Sequence, residues 1–245
     1  MKERIDLSII IPHYNTPELL KTLIDSIPDY SNIQTIVVDD NSDIEKDSLE
    51  KIFFNYKEKV EFYNNNLENR SAGTCRNIGL EHAVGKWVLF ADADDFFMQD
   101  MYSIVSDYFD SNYDIIFFTP TSILLGTEEI SNRHLQHKKL IQQYLKNPNE
   151  ENTLTLKAFR TGAPWSKMIK RELIEKYHIR FNSSRHWNDL YFSTVSGYYA
   201  KNIAASEKVI YCITKNKNSL TMNISEEAFD IRLEEVIKLC EFLLE

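Results

Sequence analysis

Three carboxylates stand within four residues at Asp92-Ala93-Asp94-Asp95, directly after the apolar run Trp87 to Ala91. Like charges held that close repel one another, and a cation among them relieves the repulsion. Carboxylate oxygens suit magnesium, manganese or calcium, and magnesium tends to complete its shell with substrate phosphates. The same aspartates could instead cap a helix starting near Asp100 or face solvent. A second acidic turn, Asp39-Asp40-Asn41-Ser42-Asp43, follows the run Thr35 to Val38. Two acidic edges on one crevice call for a ligand that brings hydrogen-bond donors or metal, and a nucleoside diphosphate with its ion brings both. Asp40 can then accept from a pyrimidine N–H while Asp92 and Asp94 serve ribose and metal. Taken alone, Asp39 to Asp43 also reads as an Asx-type turn.

The elements that must hold these turns are legible in the first half of the chain. Leu7 to Ile11 is a continuous β-branched and leucine run ending at Pro12, the pattern of a strand covered on both faces. Thr16-Pro17 supplies an N-cap and a first-turn proline, and Leu20, Leu23, Ile24 and Ile27 follow at helical spacing. Thr35 to Val38, Val60 to Tyr63, Trp87 to Ala91 and Ile115 to Phe118 are further short apolar runs, separated by helical patterns at 74–84 and 100–109. This alternation predicts an α/β fold with a Rossmann-like, doubly wound, mostly parallel sheet. Ligands of such sheets sit outside the carboxyl ends of the strands, here Pro12 to Asn15, Asp39 to Asp43 and Asp92 to Asp95. Beyond residue 119 the pattern loosens: a polar segment over 126–152, helices at 171–178 and from Asn188, a strand at Val209 to Thr214 and a last helix from Glu226. On that helix Phe229, Leu233, Val236, Ile237, Cys240 and Leu244 are read as one packing face, against the catalytic domain or a partner subunit, so a homo-oligomer through it is an expectation. No repeat or low-complexity linker marks a boundary.

Composition removes several function classes. Lys plus Arg number 28 against 37 Asp plus Glu, a net charge of −9, which disfavours a nucleic-acid partner. Cys75, Cys212 and Cys240 lack metal-ligand spacing and read as buried free thiols of a reducing cytosol. Glu3, Asp6 and Pro12-His13 break any secretory signal, and the longest apolar stretch, Ile115 to Leu125, is interrupted by Pro120 and too short to span a bilayer. The expected location is cytoplasmic.

The order "IIIPHYN", "IVVDDNSD" and "ENRSAGTCRNIGLEHAVGKWVLFADADD" resembles the inverting family 2 glycosyltransferases of GT-A fold, bacterial polysaccharide-building members especially. The resemblance is strong over roughly residues 5–110 and continues through "APWSKMIKRELI", "HIRFNSSRHWNDLYF" and "VIYCITKNKNSLT". It implies a GT-A catalytic domain over 1–215, with a nucleotide-binding half at 1–118 and an acceptor half at 119–215, then a C-terminal helical extension over 216–245. It places Pro12, Tyr14 and Asp40 around the nucleoside, Asp92 near ribose or metal, and Asp94 on a divalent ion, manganese or magnesium. Arg76, in Cys75-Arg76-Asn77, matches the family's Arg-Asn pair; its guanidinium can pair with Asp92 or with phosphate oxygens, or form a helix-surface ion pair. Asp189 matches the base of the family's Glu-Asp pair, with Asn188 in the glutamate's place, although an Asp at a helix start is also a usual N-terminal cap. Arg70-Ser71 departs from the small residues usual before Gly73.

The implied activity is metal-dependent, inverting transfer of a sugar from a nucleotide sugar, UDP-linked, to a hydroxyl of a glycan or lipid-linked acceptor at the inner membrane face. The acidic last helix by itself argues against direct membrane binding. The alternative is a sugar-nucleotide or glycan-binding module of the same fold without catalysis. A nucleotidyltransferase or NAD enzyme would need a glycine-rich loop after the first strand, where this chain has Pro12-His13-Tyr14-Asn15. Trp165 and Trp187 are candidate sugar-stacking rings, and His186 a weaker metal candidate.

Overall fold

A computed structural model describes residues 4–159, 162–215 and 225–244. The chain opens with β1 (Leu7–His13), α1 (Pro17–Ser26), β2 (Ile33–Asp39), α2 (Lys46–Tyr56), β3 (Val60–Asn64), α3 (Ala72–His82) and β4 (Trp87–Phe90). It continues through β5 (Phe96–Phe97), α4 (Met101–Ser106), β6 (Ile115–Leu124), α5 (Leu135–Lys146), α6 (Glu150–Leu154) and a π turn (Thr155–Phe159). Last come β7 (Lys167–Lys170), α7 (Arg171–Lys176), α8 (Asn188–Tyr199), β8 (Ile203–Lys215) and α9 (Glu226–Leu244).

One sheet runs in the order β3-β2-β1-β4-β7-β6-β8-β5. The first four strands are parallel, as is the β6–β8 pair, while β7 lies antiparallel between β4 and β6 and β5 runs antiparallel to β8. The parallel half matches the expectation, and the rest of the sheet is mixed because β7 reverses direction in its middle. Alternate residues of each strand feed two cores. Leu7, Ile9, Ile11, Val37 and Leu89 pack with α1, α2 and α4 on one face. Ile10, Ile36, Val38, Val88 and Phe90 pack with α3, α5, α7 and α8 on the other. Each such side chain, fully buried, contributes about 1.5–3 kcal/mol, which is what fixes the strand ends in space.

Several expectations change. β1 runs through Pro12 to His13 rather than stopping at proline. Thr16 makes no side-chain cap bond; its N–H instead donates to His13 Nε2 at 3.2 Å. β6 crosses Pro120 at a register shift between Thr119 and Thr121, a bulge that spares the ladder a missing N–H. α9 packs on its own chain, but through Ala228, Glu235 and Leu239, with Phe242 against the rings of Tyr191, Tyr198 and Tyr199. Of the face read from the sequence, Phe229, Leu233, Ile237, Cys240 and Leu244 are exposed. A polar anchor decides the rotation of the helix: Glu235, 1% exposed, accepts from Asn182 Nδ2 and from Lys238 at 3.0 Å. Cys75 and Cys212 are buried free thiols as expected, and Cys240 is not buried. Residues 216–224 of the expected extension, with the end of the "KNKNSLT" motif, lie outside the described residues. Among the described residues no helix is long and apolar enough to cross a membrane.

Candidate active site

The loops after β1 and β2 are tied to each other before any ligand is considered. Asn15, at φ 56°, donates from Nδ2 to Asp43 at 2.7 Å and accepts the Asp43 N–H at 2.9 Å. His13 accepts from Thr16 on Nε2, so Nδ1 carries the proton and donates to Asp39 at 2.8 Å. Asp39 also accepts the Ser42 N–H at 2.9 Å and the Ser42 hydroxyl. Burial alone would raise the Asp39 carboxyl, but the His13 and Ser42 donors outweigh it and hold it below the ordinary value. The two readings of the acidic turn are thereby divided between neighbours. Asp39 builds the Asx-type turn, and Asp40, also buried, faces the cleft. Asp40 accepts from Asn65 Nδ2 at 2.6 Å. Burial and the Asp40 charge push the Cys75 thiol far up, so it stays protonated and unreactive.

The aspartates after β4 divide in the same manner. Asp95 is buried, with one carboxyl oxygen accepting the Tyr211 hydroxyl at 2.7 Å and the other the Thr214 N–H at 2.7 Å. Tyr211 in turn accepts the Asp92 N–H at 2.8 Å, so Asp95 fastens the turn to β8 while it also lines the cleft. Asp92 turns its carboxylate to Arg76, with Nη2 to Oδ1 at 2.6 Å. Asp94 is half-buried, and among the described residues its carboxylate takes no side-chain donor. Burial, then the neighbouring Asp92 charge, push Asp94 up to about 6. A half-buried carboxylate without a side-chain donor, beside a second one, fits a divalent ion. Among the described residues no three His, Cys, Asp or Glu are arranged to hold a metal. The donor set is therefore two carboxylates, the pattern in which substrate phosphates and water complete the shell.

Arg76 sits on α3, 4% exposed, and links this turn to the start of α8. Its Nη1 donates to Asn188 Oδ1 at 3.0 Å, and its guanidinium lies 5.2 Å from the Phe181 ring centre. The helix can come this close because Gly73 has no side chain: a Cβ there would stand 2.1 Å from the Asn182 carbonyl oxygen. Ser71, in the loop that departs from the family pattern, is the N-cap and accepts the Thr74 N–H at 3.1 Å. Asn188 opens α8 after Trp187, whose φ is 54°, and Asp189 follows in its first turn. Burial raises the Asp189 carboxyl; Arg76 opposes this, Asp92 adds to it, and Lys167 opposes it again.

These parts enclose a cleft of about 410 Å³ outside the ends of β1, β2 and β4. Pro12, Tyr14, Asp40, Arg76, Asp92 and Asp94 all line it. Asp189 is not on that wall; it directly follows Asn188, whose side chain meets Arg76. Arg133 and Lys215 also face the cleft; neither was singled out from the sequence, Arg133 because it lies in a polar segment without a motif and Lys215 because the motif that contains it gave no role to the lysine. Asn65 and His13 were missed as well; the signal available for both was a polar residue abutting a buried strand end. Trp165 is 7% exposed, 4.6 Å from the His137 ring and 5.9 Å from Tyr211, and it lines the cleft. Trp187 is 46% exposed, with Arg232 of α9 at 5.8 Å over its ring. His186 does not enter the carboxylate cluster; its carbonyl accepts the Ser184 hydroxyl at 3.0 Å.

Comparison with known proteins places this geometry. The family model described as glycosyl transferase family 2 matches residues 8–177. Glycosyltransferase GlyA of Streptococcus pneumoniae is 27% identical over 218 residues, covering 84% of this chain and 29% of GlyA. The putative glycosyltransferase EpsH of Bacillus subtilis is 23% identical over 231 residues, covering 91% of this chain and 65% of EpsH. The chain thus spans less than two thirds of the length of either relative. Residues 1–349 of S. aureus TarS in complex with UDP-GlcNAc superpose with a TM-score of 0.69 at 21% identity, over 93% of this chain and 64% of TarS. The mannosyltransferase PcManGT of Pyrobaculum calidifontis, in complex with GDP-Man and Mn2+, gives 0.61 at 15% identity, over 89% of this chain and 59% of PcManGT. These structural likenesses speak to the fold, and the family model covers most of the chain. On both counts the chain belongs to glycosyl transferase family 2 and carries the GT-A fold.

Proposed function

We propose that this protein is a metal-dependent, inverting glycosyltransferase that moves a sugar from a UDP-linked donor to a hydroxyl of a glycan or lipid-linked acceptor. The observation that carries the reading is the meeting of Asp40, Asp92, Asp94 and Arg76 in one cleft, with Asp189 beside it at the start of α8. Asp40, fixed by Asn65, accepts from the pyrimidine N–H, and Pro12 and Tyr14 wall the nucleoside. Asp92, held by Arg76, faces the ribose side. Asp94, with Asp92, would hold manganese or magnesium, which when bound offsets the charge of the departing diphosphate. Arg133 and Lys215 add positive charge on the same wall. Asp189 takes the proton of the acceptor hydroxyl as it attacks the anomeric carbon, so an α-linked donor yields a β-linked product.

The UDP-GlcNAc bound by TarS supports a UDP-linked donor, and the minor teichoic acid biosynthesis in the name of GgaB, 29% identical over 142 residues, supports a glycopolymer as acceptor. The site of action in this reading is the cytoplasmic face of the membrane. The test is UDP or GDP release from UDP-N-acetylglucosamine, UDP-glucose, UDP-galactose and GDP-mannose, with and without manganese. Release from a UDP-sugar that requires the ion supports the reading. Tight nucleotide binding with no release from any donor supports instead a binding module of the same fold.

A further inference from the structure

Lys167 lies on β7 at 3% exposure, an ammonium taken almost wholly out of water. Such a charge is costly unless other groups compensate it. Its Nζ donates to Ser193 Oγ at 3.1 Å, and the Ser193 hydroxyl donates in turn to the Gly162 carbonyl at 2.6 Å. The Phe117 ring centre is 5.9 Å away. Ser193 is four residues beyond Asp189 on α8, so both lie on one face of that helix, about one turn apart. The ammonium is therefore held one turn from the candidate base, on the side of the sheet.

We propose that Lys167 is a positioning residue for Asp189: a buried positive charge, seated by Ser193, that maintains Asp189 as a carboxylate able to accept the acceptor's proton. The inference rests on the reading of Asp189 as the base. The charges that act on Asp189 are, in descending order, Arg76 from α3, Asp92 from the turn after β4 and Lys167 from β7. Arg76 donates to Asp92 and Asn188, so its charge is shared with another carboxylate. Lys167 is faced by Asp189 and, from α5, by His137, which burial and then the Lys167, Arg133 and His134 charges push down to about 4. His137 is thus uncharged near neutrality and does not repel the ammonium. Burial pulls Lys167 itself down to about 7, with Asp189 pulling the other way. Its charge is accordingly present below neutrality, the range in which a carboxyl raised by burial needs a cation to stay ionised.

The test is an NMR titration of the Asp189 carboxyl in the free full-length protein, its signal identified by its loss in Asp189→Asn. A pH profile of nucleotide release from the donor that the panel above identifies runs beside it. Lys167→Met should move the Asp189 midpoint, and the acid limb of the profile, upward by about one unit, roughly tenfold in rate below the limb. Lys167→Arg should restore both, which a purely structural defect would not predict. Should Lys167→Met fail to fold, Ser193→Ala releases the ammonium from its seat and should give a smaller shift of the same sign. An unmoved midpoint in the folded variant overturns the inference. Asp189→Asn in the same release assay separates the two claims: a dead enzyme with an unmoved midpoint in Lys167→Met sinks only the Lys167 role, whereas an active Asp189→Asn sinks the base assignment.

Discussion

Replacing Arg76 with methionine tests whether this side chain is structural cement between the two halves of the site or merely a waiting phosphate ligand. Methionine fills a similar volume against Phe181 but supplies neither hydrogen bond. Removing one member of a fully buried ion pair costs about 3–5 kcal/mol, because the partner charge is stranded. The Asp92 side chain is 34% exposed, so part of that cost is relieved by water and about 2 kcal/mol is a fair share. Losing the donor to Asn188 adds about 1 kcal/mol. A chain of this size loses about 2–4 °C per kcal/mol, so Arg76→Met should melt about 6–12 °C below the parent. The stranded charge makes a second, sharper forecast. Adding Asp92→Asn to Arg76→Met should recover about 2 kcal/mol, the coupling expected for groups in contact. The assay is thermal unfolding by circular dichroism near neutral pH, without nucleotide and with a chelator present. A single variant melting within about 2 °C of the parent, or a double variant no more stable than the single, would refute the reasoning and leave Arg76 as a ligand-binding group only.

Three further outcomes follow from the same geometry. Asp189→Asn should lower transfer by about 10²–10⁴ while leaving UDP affinity, measured by calorimetry, within about twofold; equal losses in both would make Asp189 structural. Asp94→Ala should abolish the manganese dependence of UDP binding, and an unchanged dependence would remove Asp94 from the metal assignment. Asp39, held below the ordinary carboxylate value, stabilises the fold above its unfolded pKa of about 3.9 and loses that contribution as pH falls through its folded value. Asp39→Asn should therefore flatten the acid limb of the stability curve below about pH 4, read by urea titration at several pH values, and a limb as steep as the parent's would exclude Asp39 as its source.

What was legible in the sequence follows from how much burial dictates residue type. β1, β2 and β4 are covered on both faces, so nearly every position is apolar and the runs announce themselves. The ends of those runs then locate the cleft, and all six donor-side residues expected there line it. β7 resisted reading because it is four residues long with lysine at each end, and one of those lysines is buried. The apolar run of β6 reads as ending at Phe118 because the pattern loosens there, whereas the strand crosses Pro120 on a bulge and continues to Leu124. On α9 the apolar count favoured a face that the structure leaves exposed, since a buried glutamate with its own partners outweighs several leucines in fixing the rotation. Adjacent identical residues were the hardest case. Asp92, Asp94 and Asp95 differ in role only through the direction each side chain leaves the turn, and Tyr211, which claims Asp95, lies far away in sequence.

The exchange of glutamate for Asn188 acquires a physical meaning once Arg76 is located. The guanidinium stands between Asp92 and the first turn of α8, and its two terminal nitrogens are divided between a carboxylate and an amide. With a carboxylate at position 188, Arg76 would be shared by two anions, and Asp189 would gain a like charge on the adjacent residue. The amide keeps the hydrogen bond and removes that charge, which lessens the pressure of burial and of Asp92 to protonate Asp189. Its Nδ2 meanwhile donates to the Ser184 carbonyl at 3.0 Å, a bond a carboxylate could not make. Asn188 therefore ties the segment before α8 to Arg76 with both ends of its side chain. The substitution is compatible with an intact base at position 189, so it is not by itself a sign of lost catalysis.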